Sequence, residues 1–122
     1  IGIERELNDK PAGIRTSTLV CLGAMLFVRM GSLLDDTSAD PTRVLGQVVT
    51  GVGFLGAGVI LSRDRNIKGV TTASTIWILA AIGAMIGLGH LAAALTVTLV
   101  VIAVLAVFDR LAKRISRDKA DE

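Results

Sequence analysis

Charged residues fall in clusters along this chain, with long uncharged stretches between them. No Asp, Glu, Lys or Arg occurs from Thr16 to Val28, from Val44 to Ser62 or from Gly69 to Phe108. A helix of a water-soluble bundle interleaves charges with apolar residues every few positions, which keeps one face hydrated. These stretches have no such face. A helix needs roughly 20 apolar residues to cross the hydrocarbon of a bilayer. Val44–Leu61, Gly69–Leu88 and Leu91–Phe108 each meet that requirement. Thr16–Leu34 meets it if Arg29 extends its side chain to the headgroups. At about 1.5 Å per residue, Arg29 lies about 20 Å from Thr16, near the far boundary of a core about 30 Å thick. The pattern predicts an all-α membrane protein, a bundle of four transmembrane helices with spans at 16–34, 44–61, 70–88 and 91–108. Residues 1–110 form the membrane domain and residues 111–122 a basic tail.

Four spans place residues 1–15, the 62–70 connection and the tail on one side. That side holds Arg5, Lys10, Arg15, Arg63, Arg65, Lys68, Arg110, Lys113, Arg114, Arg117 and Lys119. The other holds Arg43, with Arg29 near it, and the acids Asp35, Asp36 and Asp40. Loops on the cytoplasmic side carry the excess of Lys and Arg, so both ends are expected to be cytoplasmic. The formal net charge of +2 needs no nucleic acid to explain it, because basic residues flanking spans suit an anionic inner leaflet. Ile1 rather than Met opens the chain, which reads as starting inside a longer protein, and no cleavable signal peptide is visible in these residues. Cys21 is alone, so no intrachain disulfide is expected, and it reads as a small hydrophobic filler.

Lipid gives one helix no hydrophobic reason to join another, so close backbone approach and polar contacts must supply it. The second span contains Gly46, Gly51, Gly53, Gly56 and Gly58. At 3.6 residues per turn, Gly46, Thr50, Gly53 and Ala57 share one narrow stripe, and Gly51 and Gly58 form another. Two smooth faces predict two close neighbours and a central position for this helix. The rival reading is a helix broken at its glycines, with free backbone lining a cavity. In the third span, Gly69, Ala73, Ala80, Ala84 and Gly87 share a side, and Gly83 and Gly87 form a GxxxG pair, which is a weak signal alone. Thr71, Ser74 and Thr75 gather at its start, where hydroxyls bond back to their own helix or else line a polar entrance. The fourth span has no small-residue face and reads as lipid-facing, ending at Asp109 before a basic run that continues as a surface helix.

Three segments are more particular than packing requires. These are Gly2-Ile-Glu-Arg-Glu6 with Lys10-Pro-Ala-Gly-Ile-Arg-Thr16, the run Gly51–Gly58, and Lys68-Gly-Val-Thr-Thr-Ala-Ser74. Arg15 stands where the first span begins, and a cation is unfavourable at a helix N-terminus. Glu4 or Glu6 is expected to fold back and pair with it.

In this order the segments resemble the MgtC/SapB family of bacterial inner-membrane proteins. The matching positions are Gly2, Glu4, Arg5 and Glu6, then Lys10, Pro11, Gly13, Arg15 and Thr16, then Gly51, Gly53, Gly56 and Gly58, then Gly69, Thr71 and Thr72, with Trp77 following. Val70 stands where the family more often has Leu, Ser74 where it has Ala, and Ser17 where a His is frequent. The resemblance implies a location in the bacterial inner (plasma) membrane and a further spanning helix before Ile1, giving five in the full protein. It implies a part in magnesium homeostasis and growth in low magnesium, and in pathogens a link to virulence. Some members carry a soluble C-terminal domain, and this chain resembles the shorter form. One member is described as a regulator of the membrane ATP synthase, which makes another membrane complex a candidate partner.

An enzyme is not expected. The one His, His90, lies in a tight outer turn without a nearby Cys or carboxylate, and no nucleophile has a visible base. No cofactor motif is present. A magnesium path would need carboxylate or carbonyl oxygens and retained waters, and Asp35, Asp36 and Asp40 are the weak candidates. Inside the clean spans only Gln47, Thr50, Thr71, Ser74 and Thr75 offer polarity. Two classes remain: a membrane regulator acting through helix–helix contacts, which is favoured, and a small homo-oligomeric cation transporter or channel. The topology is open to direct test. Cysteines placed at Asp36 should react with an impermeant reagent from outside, and those at Lys113 only after permeabilisation. The reverse pattern would defeat the assignment.

Overall fold

The computed structural model describes residues 1–33, 41–63 and 66–118. It consists of a short helix α1 (Gly2–Leu7), the long helices α2 (Ile14–Leu33) and α3 (Pro41–Val59), strands β1 (Leu61–Arg63) and β2 (Asn66–Lys68), and the long helices α4 (Val70–Gly87) and α5 (Leu91–Asp118). The four long helices are each long and apolar enough to cross a bilayer. Each span falls within a few residues of its expected limits, because its length is set by where the charges stop. Asp35, Asp36 and Asp40 lie outside the described residues.

The 62–70 connection is a hairpin rather than a plain loop. β1 and β2 pair antiparallel, with Leu61 opposite Lys68, Ser62 opposite Ile67 and Arg63 opposite Asn66. Gly69 then turns the chain into α4 at φ 90°, in the left-handed region that lacks a penalty only for glycine. A Cβ there would run into the Val59 carbonyl at the end of α3, so the position is closed to other residues sterically as well.

The central helix is α4, not α3. Thr72, Ala73, Thr75, Ile76, Leu79, Ala80, Ile82, Gly83, Ala84 and Gly87 are all buried, whereas of α3's described residues only Gly56 is. The reason lies in which glycines meet a neighbour. A Cβ on Gly83 would collide with the Cys21 carbonyl of α2, and one on Gly87 would sit 2.7 Å from the Met25 carbonyl and 3.1 Å from Val28 Cβ. The GxxxG pair thus lays α4 directly on the α2 backbone, where dispersion contacts and close approach replace the hydrophobic drive. By contrast Gly46, Gly51, Gly53 and Gly58 have nothing within 4 Å of where a Cβ would stand. The Gly46–Gly53 stripe of α3 therefore meets no neighbour among the described residues, while Gly51 looks onto the open groove beside α2 without touching it. The helix is nonetheless continuous across them, which removes the broken-helix reading.

α3 touches its neighbours at opposite ends. Near its start, a Cβ on Gly31 of α2 would meet Val44 Cγ2 at 2.6 Å; near its end, Gly56 lies against Ala73 of α4, 3.7 Å from a Cβ position. Between these contacts two grooves open. One of about 490 Å³ separates α2 from α3 and is lined by residues including Leu19, Gly23, Phe27, Gln47, Gly51 and Leu55. The other, about 270 Å³, separates α3 from α4 and includes Val48, Val52, Trp77, Ala80 and Ala84.

α5 turns mostly outward and buries only Ala94 among its described side chains, as its lack of a small-residue face predicts. The helical continuation expected past Asp109 is present. The helix runs unbroken to Asp118, about 42 Å at 1.5 Å per residue, longer than the hydrocarbon is thick. Span hydroxyls bond back to their own helices: Ser74 Oγ donates to the Val70 carbonyl at 2.9 Å, Thr75 Oγ1 to Thr71 at 2.8 Å and Thr50 Oγ1 to Gly46 at 2.9 Å. This packing separates two glycines of the same type. Gly83→Val should lower stability in detergent by about 1–3 kcal/mol, the usual range for an overpacked contact, whereas Gly53→Val should leave the unfolding temperature nearly unchanged. Equal losses in thermal unfolding would contradict the central placement of α4.

Candidate functional site

The polar side chains that the bundle buries gather at the end where α1, the start of α2 and the start of α4 meet. α1 is too short to be stable alone, and tertiary contacts hold it. Gly2 makes room for it: a Cβ there would stand 3.0 Å from Ile14 Cα and from Ser17 Cβ. The chain reverses between α1 and α2 through Asp9 and Ala12, both at positive φ (51° and 61°). Ser17, buried just inside α2, donates to the Ala12 carbonyl at 3.0 Å and fixes that reversal. A polar residue at position 17 thus has a structural use without titrating.

The acids of α1 do not pair with Arg15. Arg15 is exposed, and Glu6 Oε2 instead accepts the Ile14 N–H at 3.1 Å, placing a carboxylate on the open N-terminus of α2. The first N–H groups of a helix lack internal partners, and a negative charge there is favourable. The carboxylate therefore satisfies the helix end itself, leaving the cation exposed. Gly13 permits this, since a Cβ would overlap the Glu6 carboxylate. Glu4 Oε1 accepts from Asn8 Nδ2 at 3.0 Å, while Glu4 Oε2 is buried without a hydrogen bond.

The buried cation is Arg5, only 3% exposed. Its Nη2 donates to Thr72 Oγ1 at 3.2 Å, joining α1 to the first turn of α4. Its Nε is buried with no hydrogen-bond partner. Asp109, whose Oδ2 is likewise buried and unpartnered, follows half-buried Thr98, Val101 and Leu105 along the inner stripe of α5. Thr98 lies beside Leu79 and Ile82 of α4 in one groove. With α4 and α5 antiparallel about the turn at Gly89, Asp109 falls within about one helical turn of the level of Thr72.

Of the residues singled out in the sequence, the structure brings Glu4, Arg5, Glu6, Gly13 and Thr72 into this region. Lys10, Pro11, Thr16 and Thr71 are exposed near it. Gly53 and Gly58 meet no described neighbour on α3, Gly51 lines the groove between α2 and α3, and Gly56 and Gly69 serve the α3–α4 junction. His90 is exposed in the turn before α5. Sequence reasoning weighted Arg15 and missed the burial of Arg5. The signal available was Gly2, whose missing side chain lets α1 lie against α2.

Comparison with known proteins places this arrangement. Residues 1–114 match the model of the MgtC family. Protein MgtC of Brucella abortus (strain 2308) is 46% identical over 104 residues, covering 85% of this chain and 43% of that protein. The "Putative magnesium transporter YhiD" of Escherichia coli (strain K12) is 43% identical over 122 residues, 94% of this chain and 57% of that one. Protein MgtC of Salmonella typhimurium (strain 14028s / SGSC 2262) is 38% identical over 117 residues, 96% of this chain and 50% of its own length. The chain thus spans about half the length of these relatives. No solved structure matches it. Four apolar helices in sequence, packed through glycine and closed at one end by a polar cluster, occur here in a chain that belongs to the MgtC family.

Proposed function

We propose that this chain is the membrane-embedded part of a regulator linked to magnesium homeostasis and adaptation to low magnesium, acting through contact with another protein's helices rather than through chemistry of its own. It resides in the bacterial inner membrane with both ends cytoplasmic, on the strength of the basic residues gathered at that side. The observation that carries the reading is the outward face of α3. Gly46 and Gly53 share one stripe of that face and, like Gly58, have nothing among the described residues within 4 Å of where a Cβ would stand. A small-residue face supplies close backbone approach, the main source of helix association in lipid. Placed on an outward surface, it offers that approach to a partner helix. A membrane complex such as the ATP synthase is the kind of partner that would present one.

A second reading is a small oligomeric magnesium carrier, favoured by the printed name of the Escherichia coli relative. The uncharged spans argue against it, because conducting proteins place ionisable groups along their path. Reconstitution with a magnesium-sensitive dye inside the vesicles should give no flux beyond that of empty vesicles, and protein-dependent flux would overturn the regulator. In cells, Gly53→Leu should abolish growth rescue in low magnesium and co-purification with the partner complex, while the purified variant unfolds at the wild-type temperature. Full rescue by Gly53→Leu would remove α3's outward face from the function.

A further inference from the structure

The position of Arg5 is electrostatically incomplete. A guanidinium stays charged under all ordinary conditions, and moving such an ion out of water costs roughly several kcal/mol unless an opposite charge compensates it. Arg5 is 3% exposed, and the one hydrogen bond its side chain makes among the described residues is to a neutral hydroxyl, Thr72 Oγ1. Its surroundings make matters worse. Thr72 is the third residue of α4, so the guanidinium sits at the positive end of an 18-residue helix dipole. That helix end is itself unsatisfied: Gly69 provides no side-chain cap, and the first turn holds no acid. Glu6, which does cap a helix, is engaged at α2. Glu4 Oε2, on the same short helix, and Asp109 Oδ2 are buried without hydrogen bonds, so neither of these oxygens accepts from the guanidinium.

We infer that the start of α4 and Arg5 together form a binding site for a phosphate group. The open N–H groups of Val70 and Thr71 and the hydroxyl of Thr71 supply directed donors, as helix N-termini do for phosphates generally. Arg5 and Thr72 form the buried floor, where the fixed cation acts through a medium of low dielectric constant and is little screened. Lys68 and Thr71 are exposed, one on each side of Gly69 and Val70, and form the mouth of the site. The arrangement differs from a surface lysine patch because the central charge is already desolvated and loses no further hydration when the anion arrives. The phosphate belongs either to an anionic lipid headgroup or to a soluble phosphate compound, since both present the same oxygens at this boundary.

Thermal unfolding of the purified chain in detergent, followed through its single tryptophan, Trp77, tests the site. Two probes are added separately: inorganic phosphate against sodium chloride at equal ionic strength, and phosphatidylglycerol against phosphatidylcholine. The expected result is a saturable rise of several degrees with at least one probe, by the linkage of binding to stability. A rise with inorganic phosphate assigns a soluble source, and a rise with phosphatidylglycerol alone assigns a lipid headgroup. Arg5→Gln should abolish the rise. Lys68→Gln and Thr71→Val alter exposed residues and keep the fold testable if Arg5→Gln does not fold; each should raise the half-saturating concentration several-fold. Asp109→Asn should leave the rise intact. The proposal is overturned if neither probe shifts the wild type, or if the shift survives Arg5→Gln. It is overturned equally if Lys68→Gln and Thr71→Val both bind as the wild type does. It also fails if Asp109→Asn destabilises as much as Arg5→Gln with no further loss in the double variant, because the counterion is then internal.

Discussion

The bundle depends on one contact between backbones, the seating of Gly83 and Gly87 of α4 against the carbonyls of Cys21 and Met25 in α2. In water a four-helix protein of this size would hold together by hiding large apolar side chains. In lipid that drive is absent, since the solvent is as apolar as the side chains. The interior reflects this. Among the described residues no large side chain is fully buried, and the central helix α4 buries alanine, glycine and threonine with two isoleucines and one leucine. Bulk has moved to the outside, where Phe27, Phe54, Leu99 and Phe108 face outward. Every other feature, from the central position of α4 to the placing of α1, follows from how near two main chains can come.

The same contrast explains what the sequence disclosed and what it withheld. The spans were legible because hydrocarbon excludes charge, and exclusion leaves a mark along the chain itself. The helix at the centre was not legible. Glycine content states where a backbone can be approached, not whether anything approaches it. α3 has five glycines and uses Gly56, while α4 uses Gly83 and Gly87 and relies on alanines such as Ala80 and Ala84 for the rest. The β1–β2 hairpin was hidden for another reason: a three-residue strand in a polar connection has no periodicity to detect. The continuation of α5 past Asp109 shows that a charge ends a span without ending a helix.

At the polar end, the choice between Arg5 and Arg15 turned on geometry that charge spacing does not encode. Arg5 lies between two acids in sequence, whereas Arg15 stands at the start of a long helix, where its burden is easy to see. The reversal through Asp9 and Ala12 decides the matter by laying α1 back over α2, which points Arg5 at Thr72 and leaves Arg15 exposed. The acids then serve the helix end, through Glu6, and the local turn, through Glu4 and Asn8. Sequence likeness to the MgtC proteins extends over these segments without stating which of them faces inward. The fold divides them: the residues around Lys10–Thr16 shape a corner, and those of Gly51–Gly58 present a surface.

The diagonal course of α3 has a mechanical consequence. It meets α2 beside Gly31 and Val44 at one end and α4 beside Gly56 and Ala73 at the other, with a wedge of open space flanking it on each side. A member fastened in this way is a brace. Shear of α2 along α4 must tilt it, and tilt alters the width of both wedges at once. Whatever inserts into either wedge is therefore coupled, through a single rigid rod, to the alignment of the two helices that make the core.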